Sequence, residues 1–258
     1  MKILKLLVVL LLLGFLAPGK VSAAPWVPAK SAPWQWQLSG TINTSVAVPT
    51  FDIDGFDSSA ALVATLHAQG KHVICYLDMG GAENYRPDYG LYPASVLGKT
   101  VGGWPDERWV DIRQIALLQP IITSRFDMCK AKGFDAIEPD LADAYANSTG
   151  FPITAADQIR WNDKLAAEAH ARGMSVALKN APDIVAQEVS VFDFAIVEEC
   201  LQYSECSSYQ PFIVAGKAVL HVEYRGTFPN KICGKPSAAG FSTMKKRLSL
   251  NAFRQACP

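Results

Sequence analysis

Acidic side chains recur where short apolar segments of the chain end. The segments that end near residues 77, 138, 198 and 223 close with Asp78, Glu138, Asp140, Glu198, Glu199 and Glu223. Glycoside hydrolysis needs two carboxyl groups beside one linkage, one protonated to release the leaving oxygen and one ionised to attack or to activate water. Crowded acids raise one another's pKa, so one can keep its proton while its neighbour is ionised. The pattern therefore predicts hydrolysis of a glycosidic bond.

Aromatic and polar side chains accompany these acids and are suited to hold a sugar. They are Trp36, Tyr76, Asp143, Tyr145, Lys179, Asn180 and Tyr224. We expect this set to bind substrate together with Asp78, Glu138, Glu199 and Glu223. Lys179 is expected to pair with one acid and to keep that acid ionised.

Some of these acids allow a purely structural interpretation. Glu138 and Glu223 can each be one half of an ion pair, and Asp140 can cap a helix. Successive side chains of a strand point to opposite faces, so we expect only one of Glu198 and Glu199 to face the site.

Several other chemistries are disfavoured by motifs that the sequence lacks. It has no G-x-S-x-G elbow of an esterase, and no dinucleotide or P-loop signature. The four histidines are scattered and no C-x-x-C pair occurs, so neither a metal nor a cofactor is expected. The 24 basic and 24 acidic residues form no clustered basic face of the kind that binds nucleic acid.

Short apolar segments alternate with helical patterns along the chain. The predicted strands are Trp34–Leu38, Val46–Phe51, His72–Leu77, Phe134–Glu138, Ser175–Leu178, Phe194–Glu198, Ala218–Glu223 and Phe241–Met244, and the predicted helices are Ser58–Gln69, Arg113–Ala131, Ala155–Arg172 and Ala181–Val189. Three helices run into Gly70, Gly133 or Gly173, where a left-handed residue is expected to end each helix. Alternation of this kind predicts parallel βαβ units. Eight strands in this length favour a closed (β/α)8 TIM barrel, and an open doubly wound sheet is the alternative.

The ends of the chain predict export. Residues 1–23 combine Lys2 and Lys5, an apolar run of about a dozen residues and small residues before Ala24, as a secretory signal does. A membrane anchor is the alternative, although the run is short for a span of about 20 residues. Residues 24–33 form a Pro-rich extended leader, and residues 34–258 form one barrel domain. The mature protein is expected to be secreted, extracellular or periplasmic, without a membrane span, and monomeric.

The six cysteines are an even number behind an export signal, which indicates disulfides. Cys200 and Cys206 are close enough to close a small loop. Cys233 and Cys257 can then hold the C-terminal tail, which leaves Cys75 with Cys129.

Several stretches resemble the family 114 glycoside hydrolases, the endo-α-1,4-polygalactosaminidases. The most specific are Gly133-Phe134-Asp135-Ala136-Ile137-Glu138-Pro139-Asp140 and Glu198-Glu199-Cys200-Leu201-Gln202-Tyr203-Ser204-Glu205-Cys206, and others are 34–40, 51–54, 73–76, 148–151, 178–181, 216–219 and 223–224. The resemblance covers nearly the whole chain after residue 23. Two positions depart from the usual family pattern, namely Leu141 and the Asp78-Met79-Gly80 stretch.

The resemblance implies a (β/α)8 barrel that cleaves internal α-1,4 linkages in polymers of galactosamine and N-acetylgalactosamine. It implies Asp140 and Glu198 as the catalytic pair, with Asp140 as nucleophile, Glu198 as general acid/base and Glu199 as the alternative to Glu198. Tyr203 joins the expected substrate-binding residues. We expect retention of anomeric configuration, and an acidic rim suits a cationic polysaccharide. A carbohydrate-binding barrel without catalysis is the alternative function.

Overall fold

The computed structural model describes residues 24–258, so the predicted signal of residues 1–23 lies outside the described residues. One sheet contains eight parallel strands that follow one another in chain order, and a short ninth strand pairs antiparallel with the eighth. The bounds are β1 Trp34–Gln37, β2 Thr50–Asp54, β3 His72–Asp78, β7 Ala136–Asp140, β8 Ser175–Lys179, β9 Phe194–Glu198, β10 Val219–Glu223, β11 Ser242–Lys245 and β12 Gln255–Ala256. The sheet curls as in the (β/α)8 barrel that the alternation predicts.

Helices follow several of these strands and cover the outside of the sheet. They are α1 Ala60–Ala68, α2 Ile115–Lys132, α3 Ala155–Ala171, α4 Val185–Glu188 and α5 Gln210–Val214. The glycines predicted to end the first three helices, Gly70, Gly133 and Gly173, all have positive φ. Each therefore takes the left-handed conformation that is least costly for glycine.

The interior of the sheet is filled by side chains rather than by a channel. Trp34, Trp36, Ile74, Ala136, Ala177, Phe194, Ile196, Ala218, Leu220, Val222 and Met244 form one buried cluster. The two outer parallel strands are bridged near this cluster, because the indole of Trp34 donates to the carbonyl of Ser242 at 2.8 Å. Arg254 donates to the carbonyl of Trp34 at 2.7 Å.

Strand β2 begins later than the sequence pattern predicts. Pro49 has no N–H to donate to a ladder, and the strand starts directly after it. The prediction of a strand over Val46–Phe51 was therefore wrong in its bounds. As a result β2 carries Asp52 inside the barrel and Asp54 at its carboxyl end, both buried.

A small antiparallel sheet follows β3, which the sequence analysis did not predict. It consists of β4 Gly81–Glu83, β5 Leu97–Val101 and β6 Trp104–Val110, with β6 in the middle. This segment lies at the carboxyl ends of the parallel strands, because Val110 donates to Gly80 and Lys99 donates to Thr149.

Three disulfides join Cys75 to Cys129, Cys200 to Cys206 and Cys233 to Cys257. All three predicted pairings are confirmed. Residues 24–33 contain neither helix nor strand. Within residues 24–258, no helix has both the length and the apolar character that a membrane span requires.

Candidate active site

A cavity of about 940 Å³ opens at the carboxyl ends of the parallel strands. Asp140 and Glu198 both line it, as do Trp36, Tyr76, Asp143, Tyr145, Asn180, Glu199, Tyr203 and Tyr224. Four of the expected residues do not line the cavity: Asp78, Glu138, Lys179 and Glu223 are buried behind its wall. The predicted set therefore divides into residues on the cavity wall and residues behind it, and Trp36 on the wall is itself only 1% exposed.

The side chain of Lys179 joins the two candidate catalytic acids. Its Nζ lies 3.0 Å from Oδ1 of Asp140 and 3.2 Å from Oε2 of Glu198. It also donates to Oε1 of Glu138 at 2.7 Å. Burial by itself lowers the pKa of Lys179, but the three carboxylates outweigh that effect and raise it. Lys179 is therefore a fixed cation at the floor of the cavity.

Asp140 is held in its ionised form. Burial opposes ionisation, yet Lys179, the Tyr76 hydroxyl and the backbone N–H of Leu141 together lower the pKa of Asp140. The Tyr76 hydroxyl donates to Oδ2 at 2.7 Å, and the N–H of Leu141 donates to Oδ1 at 2.8 Å. A carboxylate with this many donors is suited to attack or to stabilise a positive centre.

Glu198 is held on the other side of Lys179. The hydroxyl of Tyr224 donates to its Oε1, and the amide of Asn180 lies 3.4 Å from its Oε2. The backbone N–H of Glu198 donates to the same Asn180 side chain at 2.9 Å. With 24% of its side chain exposed, Glu198 can reach a ligand in the cavity.

The backbone directly after three site strands is left-handed at residues other than glycine. Leu141 follows β7 with φ of 59°, Asn180 follows β8 with φ of 48°, and Glu199 follows β9 with φ of 51°. Each such residue costs on the order of 1–2 kcal/mol. This conformation turns the chain sharply, so that Asp140, Lys179 and Glu198 stand at the strand tips.

A second acidic pair lies below Lys179, inside the barrel. Asp52 and Glu138 are both fully buried. Both oxygens of Asp52 and Oε2 of Glu138 have no donor among the described residues. Burial, followed by the charge of Glu138, raises the pKa of Asp52 well above its ordinary value. A proton shared between the two carboxyls supplies the missing donor, and the pair then carries one negative charge next to Lys179.

Asp78 forms another acidic pair, with Glu107 of β6. Oδ1 of Asp78 accepts the N–H of Gly81 at 2.7 Å, and burial together with the neighbouring Glu107 raises the pKa of Asp78 well above its ordinary value. Burial raises the pKa of Glu107 to about 7. Glu107 lines the cavity, whereas Asp78 is buried behind the cavity wall.

Two further expected residues sit on the loop after β7. Burial and the charge of Asp140 raise the pKa of Asp143 to about 6. Burial raises the pKa of Tyr145 to about 12. Both side chains face the cavity next to Asp140.

Glu199 and Glu223 divide between the cavity and the core. Glu199 lines the cavity, 3.9 Å from Arg225, and burial raises its pKa. Glu223 is buried and accepts from the N–H of Leu201 at 2.8 Å, with His221 at 2.9 Å. Glu223 therefore holds the loop closed by Cys200 and Cys206, which matches the structural interpretation left open for it.

Several cavity residues were missed by the sequence analysis. They are Asp54, Asp57, Glu83, Tyr85, Arg86, Trp104, Glu107, Asp183 and Glu205. Arg86 is paired with Asp54 at 2.5 Å and with Glu83 at 2.7 Å, so it stiffens this wall. For the missed residues between 81 and 110, the available signal was a run of acidic and aromatic residues whose strands have little apolar alternation.

Comparison with known proteins gives consistent matches. The sequence model of glycoside-hydrolase family GH114 matches residues 16–258. An uncharacterized protein of Deinococcus radiodurans is 30% identical, over 76% of this chain and 74% of its own length. The crystal structure of Aspergillus fumigatus Ega3 in complex with galactosamine is 36% identical, with a TM-score of 0.87 over 93% of this chain and 100% of that one. The glycoside hydrolase domain of PelA from Pseudomonas aeruginosa has a TM-score of 0.64 at 10% identity over 87% and 97% of the two chains, a likeness of fold alone.

Proposed function

Because the chain belongs to glycoside hydrolase family GH114 and is a glycoside hydrolase, we propose that it cleaves internal α-1,4 linkages in polymers of galactosamine and N-acetylgalactosamine. The catalytic pair in this proposal is Asp140 and Glu198. The observation that carries it is the position of Lys179, whose ammonium touches one oxygen of each acid at the floor of an open cavity.

Asp140 acts as nucleophile in the proposed mechanism. Lys179, Tyr76 and the Leu141 N–H keep it ionised, so it can attack the anomeric carbon and form a covalent glycosyl intermediate. Glu198 gives its proton to the leaving oxygen in this step. In the second step Glu198 takes a proton from water, which attacks the anomeric carbon and frees Asp140.

The spacing of the two acids supports retention of configuration. Their nearest oxygens both contact the same Lys179 nitrogen, so these oxygens are separated by at most about 6 Å. Retaining enzymes have carboxyl groups about 5–5.5 Å apart, and inverting enzymes leave room for a water at about 6.5–9.5 Å.

The shape of the site supports cleavage inside a polymer. A second hollow, lined by Lys99, Trp104, Asp143 and Asn147 among others, continues the cavity along β5 and β6. Exposed aromatic rings stand on the cavity wall at Tyr85, Trp104 and Tyr203. Flat rings of this kind bury the apolar face of a sugar while polar groups fix its hydroxyls.

The charge of the cavity supports a cationic substrate. Its lining includes Asp54, Asp57, Glu83, Glu107, Asp140, Asp143, Asp183, Glu198, Glu199 and Glu205, against Arg86 as the one strong base in the described lining. A cleft lined by one sign of charge concentrates ligands of the opposite sign. A polymer with protonated amino groups fits this field, in line with the galactosamine bound in the Ega3 structure.

Secretion and a monomeric state belong to the same proposal. Three disulfides are typical of proteins that fold in an oxidising compartment. A secreted enzyme of this kind meets its polymeric substrate outside the cell.

The test is digestion of partly deacetylated polygalactosamine, with the products measured by mass spectrometry. We expect oligomers of several lengths from early times, as internal cleavage produces. Asp140→Asn and Glu198→Gln should bind the polymer and release no oligomers. Normal cleavage by both variants would contradict the site, and binding without cleavage by the unmodified protein would point to the carbohydrate-binding alternative.

A further inference from the structure

The charge of the chain changes abruptly after β10. Residues 224–258 contain no aspartate or glutamate, whereas they contain Arg225, Lys231, Lys235, Lys245, Lys246, Arg247 and Arg254. The catalytic cavity has the opposite composition, with ten acidic residues in its lining. Lys246 is buried, but Arg225 and Arg247 are exposed, so the segment places a basic surface next to the acidic cavity.

Part of this basic surface forms a pocket that adjoins the catalytic cavity. The pocket has a volume of about 530 Å³ and is lined by Glu199, Tyr224, Arg225, Lys245, Lys246, Arg247, Leu248 and Phe253. Glu199, Tyr224 and Leu248 line the catalytic cavity as well. Tyr224 also holds Glu198, so the pocket begins one side chain away from the catalytic pair.

Arg225 and Arg247 provide most of the available positive charge in this pocket. The Arg225 side chain is 72% exposed, with Glu199 as its nearest acid at 3.9 Å. Arg247 stacks on the Phe253 ring at 4.6 Å and has no ion pair within the described part of the chain. Lys245 and Lys246 instead donate to the carbonyls of Gly226 at 2.6 Å and Asn251 at 2.8 Å.

Apolar groups accompany these cations. Leu248 is 62% exposed at the border between the pocket and the catalytic cavity. The Phe253 ring lies under the Arg247 guanidinium. The pocket thus combines guanidinium hydrogen-bond donors with an exposed aliphatic side chain.

We propose that this basic pocket is a subsite for a sugar unit without a free ammonium group, namely the N-acetylated unit of a partly acetylated polymer. The proposal rests on the function proposed above and adds the order of units along the cleft. An ammonium here meets two guanidinium groups of the same sign, which disfavours it. An acetamido group is neutral, its carbonyl accepts from Arg or Lys, and its methyl packs on Leu248.

The catalytic cavity and the basic pocket then bind sugar units with different substituents at the nitrogen. The acidic cavity favours units with a protonated amine, and the basic pocket favours an acetylated unit next to them. A partly acetylated polymer satisfies both halves, whereas a fully deacetylated polymer satisfies only the first.

The experiment compares two polygalactosamine substrates of matched length, one about half N-acetylated and one fully deacetylated. We expect the ratio of kcat/KM, acetylated over deacetylated, to fall about three- to tenfold in Arg225→Glu with Arg247→Glu, since exposed charges have modest energies. Arg225→Lys with Arg247→Lys should keep the ratio of the unmodified protein. Lys235→Glu is the matched control, because it reverses a charge of the same segment outside the pocket.

Salt separates a charge effect from a structural one. At about 1 M salt the screening length is about 3 Å, so the difference between the Glu variant and the unmodified protein should shrink. An unchanged ratio in the Glu variant, or an equal change in Lys235→Glu, would overturn the subsite. If the unmodified protein cleaves neither polymer, the proposed function itself fails, which is a different result from an unchanged ratio.

Discussion

Two groups of acids lie within one barrel and differ in what surrounds them. Asp140 and Glu198 line the cavity and contact Lys179 from above. Asp52 and Glu138 lie below Lys179, fully buried among the interior side chains. The upper pair receives hydrogen bonds from the hydroxyls of Tyr76 and Tyr224 and from the backbone N–H of Leu141, while the lower pair receives none from a hydroxyl or a backbone N–H. A carboxyl is therefore held ionised at Asp140, whereas Asp52 and Glu138 share a proton inside the barrel.

The difference explains how the single ammonium of Lys179 can pair with three carboxyls, those of Glu138, Asp140 and Glu198. If all four acids were ionised, Lys179 would be outnumbered in a region with little water, at a high electrostatic cost. Burial raises the pKa of Asp52, so the lower pair keeps one proton and one negative charge. Lys179 then remains available to fix Asp140 and Glu198.

The largest effects are expected at the upper pair. Asp140→Asn and Glu198→Gln each preserve shape and remove a reacting carboxyl, so kcat should fall by about 10³-fold or more. Initial rates on the polymer measure this. Retention of a tenth of the activity by either variant would remove that residue from the chemistry.

Lys179→Met should abolish activity and also destabilise the fold. It leaves Glu138 buried without a cation, and breaking a buried pair costs about 3–5 kcal/mol. Urea unfolding measures the loss of stability. Adding Glu138→Leu should restore most of the stability and none of the activity, whereas recovery of activity would contradict the role of Lys179.

The wall pair of Asp78 and Glu107 predicts a dependence of stability on pH. The folded pKa of Glu107 is raised to about 7 and that of Asp143 to about 6, both above their ordinary values. Their stabilising contribution is therefore complete below pH 4 and is lost as pH rises through 6 and 7. The free energy of unfolding of Glu107→Gln, relative to that of the unmodified protein, should rise by about 1–2 kcal/mol between pH 5 and pH 8. Urea unfolding of both proteins at pH 5 and at pH 8 measures this difference. If the stability of both proteins changes equally with pH, the raised pKa of Glu107 is contradicted.

Trp104→Ala should weaken binding of long substrates and leave the chemistry intact. Trp104 is 53% exposed on the cavity wall and makes no hydrogen bond or ion pair with Asp140 or Glu198 within the described residues. We expect KM for the polymer to rise about three- to tenfold with kcat unchanged, the value of one aromatic contact. Trp26, which stacks on His72 outside the cavity, offers a matched Trp→Ala control. A fall in kcat alone would contradict a binding role.

The smallest effect on activity is expected from Asp52→Asn, although it is the same chemical change as Asp140→Asn. Asp52→Asn replaces a protonated acid by a neutral amide of the same shape, which can still donate to Glu138. Activity should stay within about threefold of the unmodified protein. If Asp52→Asn is as damaging as Asp140→Asn, then Asp52 is ionised and the contrast between the two pairs fails.

The barrel and most of the site could be predicted from the sequence because both depend on local patterns. Apolar strands, the glycines at residues 70, 133 and 173, and acids at strand ends are all visible in the chain. The spacing of the cysteines also sufficed for their pairing, since one short loop and one tail contact left a single remaining pair.

The missed parts depend on contacts between distant segments. Asp52 was not predicted as an interior residue because the apolar Val46 and Val48 indicate an earlier strand. Strand β2 begins only after Pro49 and therefore contains Asp52. The sequence also could not predict which acids line the cavity and which are buried behind it. Glu138 and Asp140 are two residues apart on one strand and differ only in depth. Glu107 joins Asp78 across 29 positions through a small sheet with little apolar alternation.

The most direct test of the central account is the anomeric form of the first product, followed by proton NMR during cleavage of partly deacetylated polygalactosamine. Asp140 and Glu198 both contact Lys179 and can flank one linkage, so the α-anomer should appear first and then mutarotate. If the β-anomer appears first, water attacks directly and Asp140 is not the nucleophile.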